Sequence, residues 1–97
     1  MKIQILPAAR RDLLAGYKFY EQQRQGIGVY FLDTLYSDIE SLQISAGIHR
    51  KKHGTHHTML SKRFPYAVYY KMIKRTVKIH AVLDTRNDPD WIKNRLA

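Results

Sequence analysis

The chain has 97 residues, too few for a second core, because a chain of this length buries only about 60–65% of the surface its unfolded form exposes. Its 44% hydrophobic and 26% charged residues exclude wholesale disorder, and the absence of cysteine excludes a disulfide scaffold, a cysteine-ligated zinc finger and thiol catalysis. The net charge of +9 lies wholly in residues 49–97, with twelve basic and three acidic residues, while residues 1–48 carry five of each.

Lys2 to Leu6 alternates in polarity and predicts a short strand that Pro7 ends. No apolar run reaches the roughly 18–20 residues of a membrane span, and the N-terminal MKIQILPAARR lacks a signal-peptide core. These features predict a cytoplasmic protein with no membrane partner. From Ala8 to about Gln25 the period is helical, with Ala9, Leu13, Tyr17 and Tyr20 on one stripe. Gly26-Ile27-Gly28 breaks that helix. It lies between helices and lacks a third glycine, so it is a turn and not a dinucleotide fingerprint. A second helix is predicted to run to about Ser45, with Phe31, Leu35, Ile39 and Leu42 on its apolar face; the two form a helical hairpin.

Residues 46–57 (AGIHRKKHGTHH) are basic and aperiodic and predict a loop. Its His49, His53, His56 and His57 are not expected to bind a metal: the segment has no Cys, Asp or Glu, and Arg50, Lys51 and Lys52 repel a dication. A strand is predicted from Thr58. Phe64-Pro65 ends or bulges it, and Tyr66 to Ile73 and Thr76 to Leu83 form two further strands around a Lys74-Arg75 turn. In the last strand Val77, Ile79, Ala81 and Leu83 are expected to share one face. Asp88-Pro89 begins a C-terminal helix, with Asp as cap and Pro at the first helical position. The order β-α-α-β-β-β-α predicts a single two-layer α+β domain over residues 1–97. In it the helical hairpin packs on a mainly antiparallel four-stranded sheet.

No acid occurs between Glu40 and Asp84, where nine Lys/Arg and all five His fall. Segregated charge of this kind concentrates polyanions, and it predicts a single sheet-borne cationic surface that meets nucleic acid or an acidic protein. Lys62, Arg63, Tyr66 and Lys71 are the candidate nucleic-acid-binding residues, with Lys78, His80 and Arg86 beside them and His57 just upstream. Cations of this kind contact phosphates and rings contact bases. The same residue types can also cleave RNA without a metal, through a base, an acid and phosphate-stabilising cations. The residues alone leave both a binding surface and a nuclease open. No cofactor motif is present.

Tyr20-Glu21, Gly26-x-Gly28, the Phe31, Leu35, Ile39, Leu42 stripe, Arg63-Phe64-Pro65-Tyr66-Ala67-Val68-Tyr69-Tyr70, Ile79 to Leu83, and then Arg86, Pro89 and Trp91 together resemble the RelE/ParE superfamily of bacterial type II toxins. The resemblance covers nearly the whole chain. It implies a RelE/ParE-like fold and a growth-inhibiting toxin held inactive by a cognate antitoxin. The implied target is ribosome-bound mRNA for a RelE-like member and DNA gyrase for a ParE-like one. Against the RelE-like pattern, His57 and Met59 stand where lysines are expected and Ala67 where arginine is expected. Arg86 matches the later arginine, and Trp91 stands near the expected tyrosine. If the chain is a nuclease, the resemblance implies Arg86 as phosphate stabiliser, His57 as acid or base, and Lys62 and Arg63 as phosphate-positioning cations. The antitoxin is expected to mask Arg63 and Arg86. A basic nucleic-acid-binding module without catalysis is the alternative.

Overall fold

The structure, a computed structural model, describes residues 1–54 and 56–97; of residues 52 and 53 only the backbone is described. Strand β1 (Lys2–Ile5) leads through Leu6 into α1 (Pro7–Gln23), with Pro7 in the first turn, where a missing N–H leaves no helical bond unmade. Gly26, at φ 92°, turns the chain into α2 (Ile27–Glu40). This conformation favours glycine, and the turn has a second brace. The Glu21 carboxylate accepts hydrogen bonds from Gly26 N–H (3.0 and 3.1 Å) and from Gly28 N–H (2.9 Å). Glu21 therefore caps α2 from the preceding helix, using negative charge at the positive end of the helix. Glu21→Gln is expected to cost about 1–2 kcal/mol, read as a lower midpoint in urea denaturation.

The second helix does not run unbroken to Ser45. It stops at Ser41, and a short α3 (Leu42–Ser45) follows. Ser41 Oγ donates to Asp38 C=O at 2.6 Å, a local bond that competes with the helical ladder. Residues 46–57 are not all loop. Lys51–His53 form β2, paired antiparallel with β3 (His56–Leu60). An edge strand needs only backbone hydrogen bonds and tolerates lysine, so no apolar alternation announces it. β4 (Tyr66–Ile73) and β5 (Thr76–Asp84) follow, then α4 (Pro89–Leu96), capped by Asp88, whose carboxylate accepts from Asp90 N–H at 2.9 Å.

The sheet order is β1-β5-β4-β3-β2. The four expected strands are present, with the short β2 added as a fifth. β1 lies at the edge and runs parallel to β5; the other pairs are antiparallel. The α1–α2 hairpin covers one face. There Leu13, Phe31, Leu35, Ile39 and Leu42 pack on Met59, Val68, Tyr70, Val77, Ile79 and Val82. The architecture is not strictly two-layered, because α4 lies on the opposite face, with Ile92 and Leu96 against Ala67, Tyr69, Ala81 and Leu83.

A bulge in β5 makes this possible. Tyr69 pairs with Ala81 and Tyr70 with Ile79, so His80 is the extra residue. The inserted residue reverses the phase of all that follows it. Val77 and Ile79 face the hairpin, whereas Ala81 and Leu83 face α4, and Val82 takes over on the hairpin side. The expected common face for Val77, Ile79, Ala81 and Leu83 is thus split in two.

Candidate nucleic-acid interface

The described basic residues of the second half stand at several places, among them the β3–β4 connection, the paired strands β4 and β5 with their turn, and the segment after β5. Strand alternation, the bulge and the turns between strands divide them into separate groups.

Lys62 and Arg63 lie in the β3–β4 connection and line a groove of about 420 Å³ with Tyr30, Asp33, Thr34, Ser37 and Asp38 of α2. Arg63 Nη1 donates to Tyr30 Oη at 2.9 Å, and its guanidinium stands 5.9 Å from the centre of that ring. Asp38 is buried and accepts from Ser61 Oγ at 2.8 Å. Two carboxylates in the same groove weaken its field for a phosphate.

Tyr66 is not a surface ring. It is 8% exposed and packs at 4.8 Å from Phe31 and 6.2 Å from Tyr20 in the aromatic core that Phe64 closes. Burial, with Tyr20 and Asp84 nearby, pushes its phenol up to about 12. A nucleobase cannot stack on a ring so enclosed, so Tyr66 positions its neighbours and does not offer a platform.

Arg86 follows β5 and folds back on Asp84. Its Nε and Nη2 donate to the two carboxylate oxygens at 3.0 and 2.7 Å, and its backbone N–H donates to Oδ1 at 2.8 Å. These bonds hold Asp84 below the usual carboxylate range, against burial that pulls the other way, and push Arg86 up. The guanidinium remains open, with 62% of the side chain exposed, and it interacts with the Tyr20 phenol.

His57 lies elsewhere. Its Nδ1 is 2.7 Å from His49 C=O, and its ring stacks on Tyr70 at 5.0 Å. The register sets Tyr66 against Asp84 and Tyr70 against Ile79, four residues along β4, so Arg86 and His57 are separated by about 13 Å or more. The structure does not bring the acid–base candidate to the phosphate-stabilising candidate.

Lys71 stands on the α4 side of the sheet with Lys78 directly opposite on β5 and His80 beside them. His56 is 3% exposed, and its ring lies 4.8 Å from that of His80. Among the described residues no group of three or more His, Cys, Asp or Glu is placed to hold a metal. The side chains of Lys52 and His53 lie outside the described residues.

The histidine end of the sheet makes stability depend on pH. Tyr70 Oη accepts from Gly47 N–H at 3.1 Å and lies within hydrogen-bond distance, 2.6 Å, of His49 Nδ1. Burial, and then the neighbouring His57, lower the His49 pKa from 6.5. Burial, with Lys71 and Lys78, lowers that of His80 as well. A lowered histidine pKa means that the unfolded chain binds protons first. The stability these groups contribute is therefore complete above about pH 6.5 and is lost progressively below it, as pH falls towards and through their lowered folded-state values. Thermal melts are expected to show a falling Tm below pH 6.5, and His49→Gln is expected to flatten part of that slope.

No protein-family model and no curated protein sequence matches this chain. Among solved structures it is similar to a chain of the chromosomal ParDE TA system from P. aeruginosa, with a TM-score of 0.78 and 19% sequence identity. The likeness covers 84% of this chain and 92% of that one. At this identity it establishes the fold: the RelE/ParE-like architecture that the sequence resemblance implied is the architecture observed.

Proposed function

We propose that this chain is the toxin of a type II toxin–antitoxin module, inhibiting growth until a cognate antitoxin neutralises it. The observation that carries this reading is the fold it shares, over most of both chains, with a component of a ParDE TA system. The residue pattern around Arg63 to Tyr70 and Arg86 supports it independently. Among the described residues no helix is long and apolar enough to cross a membrane.

Of the two targets the resemblance offers, DNA gyrase fits the geometry better than ribosome-bound mRNA. A nuclease of the RelE-like kind would need His57, or a substitute, within hydrogen-bond reach of a phosphate held by Arg86. Instead His57 is engaged by His49 and Tyr70 at the far end of the sheet. Arg86, braced on Asp84 and open to solvent, suits a fixed contact with an anionic target. An antitoxin segment bearing acids, folding as it binds, would mask Arg86 and Arg63.

The test compares purified protein on two substrates. Gyrase with supercoiled DNA is expected to accumulate broken DNA, while mRNA on translating ribosomes stays intact. Arg86→Ala is expected to lower the yield of gyrase–DNA breaks tenfold or more, as loss of a charged contact does. Cut mRNA ends without gyrase breaks would overturn the choice of target. Neither effect, with salt-dependent DNA or RNA binding retained, would leave the plain binding module.

A further inference from the structure

Lys71 and Lys78 face each other across β4 and β5 in direct register, both half-buried on the α4 side of the sheet. Like charges directly opposite on neighbouring strands destabilise a sheet. Nothing nearby relieves the pair: β2, β3, β4 and β5 up to Leu83 contain no acid, and among the described residues neither lysine has an ion-pair partner. His80 adds a third nitrogen-bearing side chain. The bulge sets it beside the lysines, and its Nε2 is buried without a hydrogen-bond partner among the described residues. Arg86 sits beyond the other end of β5, so this cluster is distinct from it.

We propose that Lys71, Lys78 and His80 form a binding site for a phosphate group, placed on the sheet by the β5 bulge. A dianion or a backbone phosphate between the two ammonium groups turns their mutual repulsion into two charge-assisted contacts. It also favours the charged form of His80, which burial and the lysines otherwise disfavour. Phosphate fits better than a peptide carboxylate, because two lysines stand in register beside an imidazole that a dianion can help to protonate, and one carboxylate could answer only one or two of these groups. The site does not depend on the growth-arrest reading and survives if that reading fails.

Two opposite signatures test it. In chloride buffer, Lys71→Gln and Lys78→Gln are each expected to raise Tm by roughly 1–4 °C by removing the repulsion. In inorganic phosphate at matched ionic strength, the unaltered protein is expected to gain Tm and to show shifted His80 ring resonances. Both variants are expected to lose roughly tenfold or more in phosphate affinity. Lys18→Gln on α1 is expected to behave as the unaltered protein in both buffers. A short single-stranded oligonucleotide that binds through Lys71 and Lys78 identifies a backbone phosphate as the source; a response to inorganic phosphate alone identifies the free ion. Equal Tm in phosphate and chloride with no oligonucleotide binding overturns the site, as does oligoglutamate binding where neither phosphate source binds. If Lys71→Gln fails to fold, Lys78→Gln and the His80 resonances of the unaltered protein decide.

Discussion

Phe31→Ala is expected to cost about 3–5 kcal/mol of folding stability, and to lower Tm by roughly 12 °C or more at about 4–8 °C per kcal/mol for a domain of this size. Phe31 is wholly buried and its ring meets aromatic residues of α1, the β3–β4 connection and β4. Its ring stacks on Tyr20 at 5.2 Å and meets Phe64 and Tyr66 edge-on at 5.1 and 4.8 Å. The ring fits because α1 presents Gly16 beneath it: a Cβ there would come within 2.5 Å of Phe31 Cζ. The two positions are therefore coupled. Gly16→Ala alone is expected to be strongly destabilising, whereas the same change beside Phe31→Leu is expected to cost much less. A double-mutant cycle in urea measures the difference, and additive effects would show that α1 and α2 do not meet through this contact.

Asp12→Ala is expected to cost about 3 kcal/mol, nearly as much, from a residue on the other side of the hairpin. The Asp12 carboxylate accepts from Val82 N–H at 3.0 Å and from both terminal nitrogens of Arg95, at 2.9 and 2.8 Å. It thus ties α1 to β5 and to α4, with only 11% of its side chain exposed. Removing it leaves a β5 amide without an acceptor and Arg95, itself 30% exposed, without its anion. Asp12→Asn keeps one acceptor for Val82 and is expected to lie between the variant and the parent. Arg95→Ala is expected to cost least, since the Val82 bond survives. The second readout is local: amide exchange in α4 is expected to speed up in Asp12→Ala before the hairpin core responds. Unchanged α4 protection would mean that Ile92 and Leu96 alone hold that helix.

How far these features are legible in the sequence depends on what each leaves in the local pattern. The two long helices announce themselves because Leu13, Phe31, Leu35 and Ile39 recur at helical spacing. β4 does so because aromatic and β-branched residues crowd it. The Asp88-Pro89 cap is legible because its chemistry is contained in two residues. β2 is not, since an edge strand of Lys51–His53 makes its bonds with the backbone and carries no apolar face. The β5 bulge is hidden because Ala81, Val82 and Leu83 are all apolar, so the hydrophobic run reads the same on either side of the phase change. The Asp12–Arg95 tie joins residues 83 apart, and no spacing rule reaches so far. At the candidate site, composition identified the basic half but not its division, which depends on alternation past Tyr66 and on the bulge at His80. The Asp84–Arg86 brace was within reach, since residues two apart around a strand end are neighbours, and the carboxylate so near the arginine was its signal.

Inducing this chain alone in bacteria, at verified soluble expression, is expected to stop growth, and co-expression with the open reading frame beside its gene is expected to restore it. Normal growth with the chain alone would contradict the proposed toxin role.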